Sequence, residues 1–420
     1  MTRTQLSCVG RLSALAFSGL LFVGAGGLPV AAAETAKQQT GAFKIAQANN
    51  RRQKTVTRSR SRTLRSAVAD KYRETVNENV VTIISGNPNG SFLFYAYDIA
   101  AAINEGDALR ILPIVGRGGA HNVRDILYLR GIDMGITQSN TMTHYQQTGE
   151  LGGNLANRLA YITRLFVDEM HIAVRKDAGI NSVQDLEGKK VNFSNKGSGT
   201  QLTIRLVMQA LGIKPVEFNM GQGDAFSKME NGELDATICV CGSPLRSFGQ
   251  IAKEKNFKMV GVEFNEKLEN DYIPVTLEAK DYPGLIPEGE TVETIGVSTV
   301  LAAYNWPKDT KRYARVARFV KAFFDNFEKM KQPPRRKKWR TVNLAANLKN
   351  WRRFPAAQEW LNTNAPPALI SRRQVGGAAV DRNLARSQVA GAAPNNPAEQ
   401  ERLFREFMTW MERRREQAQR

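Results

Sequence analysis

The side chains best suited to chemistry lie in short loops, each following an apolar run. Ser85-Gly86-Asn87-Pro88-Asn89-Gly90-Ser91 follows the β-branched run Val80 to Ile84 and leads into a helical stretch, Phe92 to Asn104. Gly86 and Gly90 allow close backbone approach to a bound molecule, and Asn89 and Ser91 can donate or accept hydrogen bonds. Gly116-Arg117-Gly118-Gly119-Ala120-His121-Asn122 repeats the arrangement. Its glycines expose N–H groups, and Arg117 offers a planar fork for a carboxylate. Gln138-Ser139-Asn140-Thr141 comes after the strand candidate Met134 to Thr137. Gly197-Ser198-Gly199-Thr200 opens a helix from Gln201, and unpaired N–H groups at a helix start favour an anion. Cys241-Gly242-Ser243-Pro244 follows Ala236 to Val240. Open α/β sheets bind ligands beyond the carboxyl ends of their strands. A Gly-rich turn alone says little, whereas its recurrence after successive strands points to a binding site.

No catalytic set accompanies these loops. His121, His144 and His171 make no H-x-x-x-H or H-E-x-x-H pattern, and neither a phosphate loop with its lysine nor a G-x-S-x-G elbow occurs. His171 lies within an apolar strand and reads as a core histidine. Cys239 and Cys241 lack metal-ligand spacing. A bridge between residues two apart in a strand needs bent local geometry, so they are expected as two buried small apolar side chains. The pattern is that of a binding protein and not an enzyme, with no metal and no cofactor expected.

The elements that must position these loops alternate. Strand candidates are Ala108 to Val115, Met134 to Thr137, Met170 to Val174, Lys190 to Ser194, Val216 to Asn219 and Ala236 to Val240. Helical stretches intervene at Asn122 to Arg130, Thr200 to Leu211, Ala225 to Asn231 and Thr310 to Lys329. The alternation predicts an α/β protein with mostly parallel sheets.

The flanks differ from this centre. The chain has 420 residues, 42% hydrophobic and 24% charged, an ordinary globular composition that excludes fibrous and wholly disordered classes. Its net charge of +19 resides in the flanks, and the centre is slightly acidic. Arg3 and Arg11, the apolar run Leu12 to Val23 and the small residues Val30 to Ala33 form a secretory signal pattern over 1–33. Residues 34–79 read as a flexible, disordered basic linker; no aromatic interleaves its Arg-rich stretch, so nucleic acid is not expected as a partner. Residues 365–396 read as a flexible spacer, and 397–418 as an amphipathic helical tail with Asn396 and Pro397 at its start. That helix packs on its own domain or, on the alternative reading, docks on a partner or membrane surface.

The ordered motifs resemble the TAXI-type solute-binding proteins of tripartite ATP-independent periplasmic (TRAP) transporters. The resemblance runs from about Val80 to Asn364. It is carried by GRGGAHNVRDILYLRGIDMGITQSN from Gly116, HIAVRKDAGINSVQDLEGKKVNFSNKGSGTQLTIRLVMQAL from His171, MENGELDATICVCGSP from Met229 and DYIPVTLEAKDYPG from Asp271. It implies a two-lobed periplasmic-binding-protein-like clamshell with a ligand cleft between the lobes. Residues 80–168 and 292–364 would form lobe I, and 169–291 lobe II. A small organic anion, an amino acid or dicarboxylate, would be delivered to TRAP membrane subunits from the periplasm. The matching positions imply ligand contacts from Asn89, Ser91 and Phe92, from Gly119 and Asn122, and from Gln138 and Ser139. In lobe II they imply Ser198, Gly199, Thr200, Gly242, Ser243 and Tyr272. Arg117 joins them from its own chemistry. The chain departs from the family at Asn140, where Asp is usual, and at Arg117 and His121, where small or acidic residues are usual. Alternatives are a ligand sensor or binding protein of another transporter class, or an interaction protein acting through its basic arms and final helix.

Overall fold

A computed structural model describes residues 66–88, 90–106, 108–251, 256–364 and 397–405. The expected signal segment, most of the expected linker, the expected spacer and residues 406–420 lie outside the described residues. The chain divides after Arg73. On the N-terminal side, residues 66–73 are helical, and Arg73 pairs with Asp70 at 2.7 Å. Residues 74–78 are helical as well, so the expected disordered linker does not extend through 79.

Residues from Glu74 onward form two lobes on one sheet. The strands are β1 (Val80–Ile84), β2 (Arg110–Ile114), β3 (Met134–Gln138), β4 (Leu159–Arg175), β5 (Lys190–Asn192), β6 (Val216–Phe218), β7 (Ala236–Cys241), β8 (Phe257–Val260), β9 (Ile273–Glu278) and β10 (Thr291–Tyr304). Their order is β2-β1-β3-β10-β4-β7-β5-β6, with β8 on β4 and β9 on β10. β1 is parallel to β2 and β3, and β5 is parallel to β6 and β7. The middle is antiparallel, because β4 leaves lobe I and β10 returns to it, pairing Leu159–Tyr304 through Glu169–Gly296. The sheet is therefore mixed, and not mostly parallel as expected.

β4 is 17 residues long and buried on both faces along nearly its whole length. Its sequence, LAYITRLFVDEMHIAVR, has apolar residues on both faces, as a central strand requires, with Thr163, Arg164, Asp168, Glu169 and His171 buried among them. Core membership changes along it: Leu165 and Phe166 pack in lobe I, and Met170 and Ile172 in lobe II. β10 changes over likewise between Val297 and Val300. The return to lobe I thus falls a few residues later than Val292.

The helices that carry the loops are α1 (Phe92–Ile103), α2 (Gly119–Tyr128), α3 (Ser139–Thr148), α4 (Gly199–Leu211) and α5 (Gln222–Glu230). α4 is capped by Ser198, whose Oγ accepts the Gln201 N–H at 3.0 Å, and ends at Gly212 in the left-handed region. Helix α6 (Lys311–Asp325) buries Val316, Phe319, Val320 and Phe323 in the lobe I core, with Trp339 against Phe323. In the final helix, Leu403 and Phe404 are buried, and Arg402 pairs with Glu293 at 2.9 Å. Its described part therefore packs on its own domain.

Candidate functional site

A small cavity lies between the lobes. From lobe I, the loop after β1 contributes Asn87, Ser91 and Phe92, and the loop after β2 contributes Arg117 and Gly119. From lobe II, Ser194, Asn195 and the start of α4 at Ser198, Gly199 and Thr200 face them. Gln138, at the end of β3, lies between. A Cβ added at Gly119 would fall 2.0 Å from Gln138 Oε1, and one at Gly199 1.9 Å from the same atom. Glycine at both positions is what lets this carboxamide sit between the lobes.

Gln138 is 2% exposed. Its Nε2 donates to Asp168 Oδ2 at 3.1 Å, and its Oε1 has no hydrogen-bond partner. Asp168 is fully buried at the lobe crossing of β4, and burial holds its carboxyl well above the ordinary carboxylate range. The neighbouring Glu169 is ion-paired with Lys338, whose Nζ also donates to the Val167 carbonyl at 2.7 Å. Glu169 Oε2 accepts the Ser243 N–H at 2.8 Å.

Gly199 and Thr200 begin α4 and line the cavity, and a helix start favours an anion. Thr200 Oγ1 is held by Val240, whose N–H and carbonyl each lie 3.2 Å away. Gln222 forms part of the wall; its Oε1 accepts from Thr237 Oγ1 at 2.7 Å and its Nε2 donates to the Ile238 carbonyl at 3.0 Å. Arg117 is exposed and lines the cavity without an ion-pair partner among the described residues. Burial and then the Arg117 charge hold His121 below its ordinary value. His121 itself sits against the opposite lobe, its N–H donating to the Gly197 carbonyl at 3.1 Å.

Further polar contacts join the lobes. Asn87 Nδ2 donates to Asn195 Oδ1 at 3.2 Å. Asn140 Nδ2 donates to Thr203 Oγ1 at 2.9 Å and to the Tyr272 hydroxyl at 3.2 Å. Gly118, with φ +111, brings its Cα within van der Waals range of Ser198, and a Cβ there would lie 3.2 Å from the Ser198 Cα. A side chain at that position would be strained by its backbone as well as crowded.

The structure thus gathers Ser91, Phe92, Arg117, Gly119, Gln138 and the Ser198–Thr200 turn around one cavity. Asn89 lies outside the described residues. Other expected contacts stand elsewhere. Asn122 is fully buried and donates to the carbonyls of Ser85 and Ile136 at 2.7 and 2.6 Å, tying β1 to β3. Ser139 opens α3 and does not line the cavity. Gly242 and Ser243 lie behind the wall, at Ser91 Oγ and Glu169. Tyr272 is buried in the lobe II core with its hydroxyl on Asn140.

Cys239 and Cys241 correct a further expectation. They are joined in a disulfide, with Cα atoms 5.7 Å apart, and both line the cavity. In a strand, residues two apart project to the same face, which brings the sulfurs together. The side chains of the cavity missed in the sequence are Asn87, Ser194, Asn195, Gln222, Val240 and these cysteines. Gly221-Gln222-Gly223, where the chain after β6 enters α5, carried the strand-to-helix signal of the other loops.

His171 is a core histidine, as expected. Its Nδ1–H donates to the Glu169 carbonyl at 2.8 Å, and its Nε2 accepts from the Tyr282 hydroxyl at 2.6 Å. Burial pushes its pKa down to about 3, so the ring is neutral. Among the described residues no cluster of three or more metal-ligating side chains occurs, and no helix is long and apolar enough to cross a membrane.

The sequence matches the NMT1-like family over residues 83–358. Among solved structures, the chain is similar to an ABC uptake transporter substrate-binding protein from Streptococcus pneumoniae with bound histidine. Identity is 13% over 63% of this chain and 95% of that one, with a TM-score of 0.39. It is similar to the arginine-bound form of truncated ArgBP from T. maritima, 14% identical over 61% of this chain and 99% of that chain, with a TM-score of 0.37. It is also similar to the periplasmic aliphatic sulphonate binding protein SsuA from Escherichia coli. There, identity is 14% over 75% of this chain and 86% of that chain, with a TM-score of 0.35.

Proposed function

As the chain belongs to the NMT1-like family, we propose that it is an exported solute-binding protein that holds a small organic anion between its lobes. It binds without turnover and hands the ligand to membrane subunits. The motif order from Gly116 to Pro244 supports a TRAP-type importer of the TAXI class as the transporter it serves. The apolar and small-residue pattern over 1–33 supports periplasmic export.

The observation that carries this reading is the convergence of unlike donors from both lobes. Ser198, Gly199 and Thr200 at the start of α4 and Arg117 from lobe I line one small cavity. Oriented N–H groups and a guanidinium favour negative charge, and a ligand touching both lobes favours the closed arrangement by its differential contacts.

Thermal unfolding of the purified protein against amino acids, dicarboxylates, keto acids and hydroxy acids tests the reading, with DNA and anionic vesicles as controls. A ligand at about 100 times its dissociation constant stabilises by roughly 2.7 kcal/mol, an easily measured shift. Stabilisation by a class of organic anion supports the proposal. Binding to DNA or vesicles with no response to any solute contradicts it.

A further inference from the structure

We infer that the cavity selects a monoanion carrying a neutral hydrogen-bond donor beside its charged end, the chemistry of a 2-hydroxy monocarboxylate. The inference rests on the anion-binding reading above and narrows it.

The first observation is the orphaned acceptor. Gln138 lines the cavity and its buried Oε1 has no partner, while the amide nitrogen donates to Asp168. A buried carbonyl oxygen left unpaired is costly, so the ligand that binds best brings a donor to it. The second is the count of positive charge. Arg117 is the only charged side chain among the described lining residues, and with the start of α4 it matches one carboxylate. A second carboxylate would be taken from water without a counter-charge.

The third concerns the amino group of an amino acid. No carboxylate lines the cavity. Asp168 stands behind Gln138 with Oδ2 on its amide nitrogen, and burial favours its neutral form. An ammonium would therefore meet a neutral amide oxygen and no negative charge. A hydroxyl gives the same hydrogen bond at far smaller desolvation cost. Phe92 and Val240 supply apolar wall for a short alkyl side chain.

Titration calorimetry with the purified protein and matched ligands tests this. Lactate and 2-hydroxyisovalerate are compared with pyruvate and 2-oxoisovalerate, which lack the donor, with alanine and valine, which replace it by an ammonium, and with malate, which adds a carboxylate. The hydroxy monocarboxylate of one chain length should bind at least tenfold more tightly than its counterparts. Equal or tighter binding of the keto acid, amino acid or malate overturns the inference while leaving the anion reading intact. No binding of any organic anion removes both. In Gln138→Glu, the new carboxylate should reverse the preference toward the amino acid. A variant that melts cooperatively and still prefers the hydroxy acid also overturns the inference. Should that variant not fold, the wild-type comparison still decides.

Discussion

The Gln138 carboxamide nitrogen donates to Asp168 Oδ2 at 3.1 Å, at the point where β4 passes from one lobe to the other. This bond turns the oxygen end of the amide toward the gap between Gly119 and Gly199. Asp168 thereby acts on the cavity without lining it. In Asp168→Ala, the amide nitrogen loses this acceptor, so the amide direction is no longer held. Anion affinity should fall about tenfold, on the order of 1–1.5 kcal/mol, the scale of one hydrogen bond. Calorimetry checks this, with a cooperative melt showing that the fold is intact.

Arg117 and Lys196 are both exposed cations near the cavity, and only Arg117 lines it. Hydrogen bonds to charged groups are worth roughly 1.5–3 kcal/mol. Arg117→Ala should therefore weaken anion binding by at least tenfold. Lys196→Ala should change it by less than about twofold. Equal losses in the two variants would mean that a diffuse positive field, and not a guanidinium contact, holds the ligand.

The Cys239–Cys241 disulfide closes a very short loop. Chain-entropy reasoning gives such a loop roughly 1–2 kcal/mol of stabilisation, less than a long one. The double variant Cys239→Ala, Cys241→Ala should lower the urea midpoint accordingly and leave the slope unchanged. Thiol titration of the unfolded, unreduced protein should find neither cysteine reactive. Two free thiols there would contradict the bridge.

His171 gives the acid limb of stability a defined sign. Its folded pKa, about 3, lies below the ordinary value of roughly 6.5. Between those values the unfolded chain binds a proton that the native ring refuses. The contribution is complete above about pH 6.5 and is lost as pH falls toward 3, by about 1.4 kcal/mol per pH unit. Urea stabilities at pH 7, 6 and 5 should show the gap between wild type and His171→Gln narrowing with acid. A gap that stays constant would contradict a neutral buried ring.

Much of lobe architecture was legible because local patterns agree with it. The β-branched run at Val80 and the cap at Ser198 each sit where their chemistry predicts. β8 and β9 were missed, as were β10 and the part of β4 before Met170, and the last two share a cause. Both are buried on two faces and show no alternation to mark them as strands. Their antiparallel pairing also depends on two chain crossings that no local signal announces. The loops of the site were visible as glycine with polar neighbours, and the support behind them was not. Asp168 and Glu169 read as ordinary charges inside an apolar run, and Lys338 as one of a basic cluster. Only the fold brings Lys338 across to Glu169 and Val167. Asn122 illustrates the reverse. A polar residue in a glycine-rich loop resembles a ligand contact, but its carboxamide is spent on two strand-end carbonyls.

The central claim is that an anion sits where Gly119, Gln138 and Gly199 meet. Gly199→Ala tests it most directly, because the added methyl would fall 1.9 Å from Gln138 Oε1 and displace that side chain into the cavity. The measurement is the dissociation constant of the tightest organic anion found by thermal unfolding, in wild type, Gly199→Ala and Lys196→Ala. The account predicts at least a tenfold loss in Gly199→Ala and wild-type affinity in Lys196→Ala. Undiminished affinity in a cooperatively folded Gly199→Ala protein would place the ligand elsewhere and contradict the account.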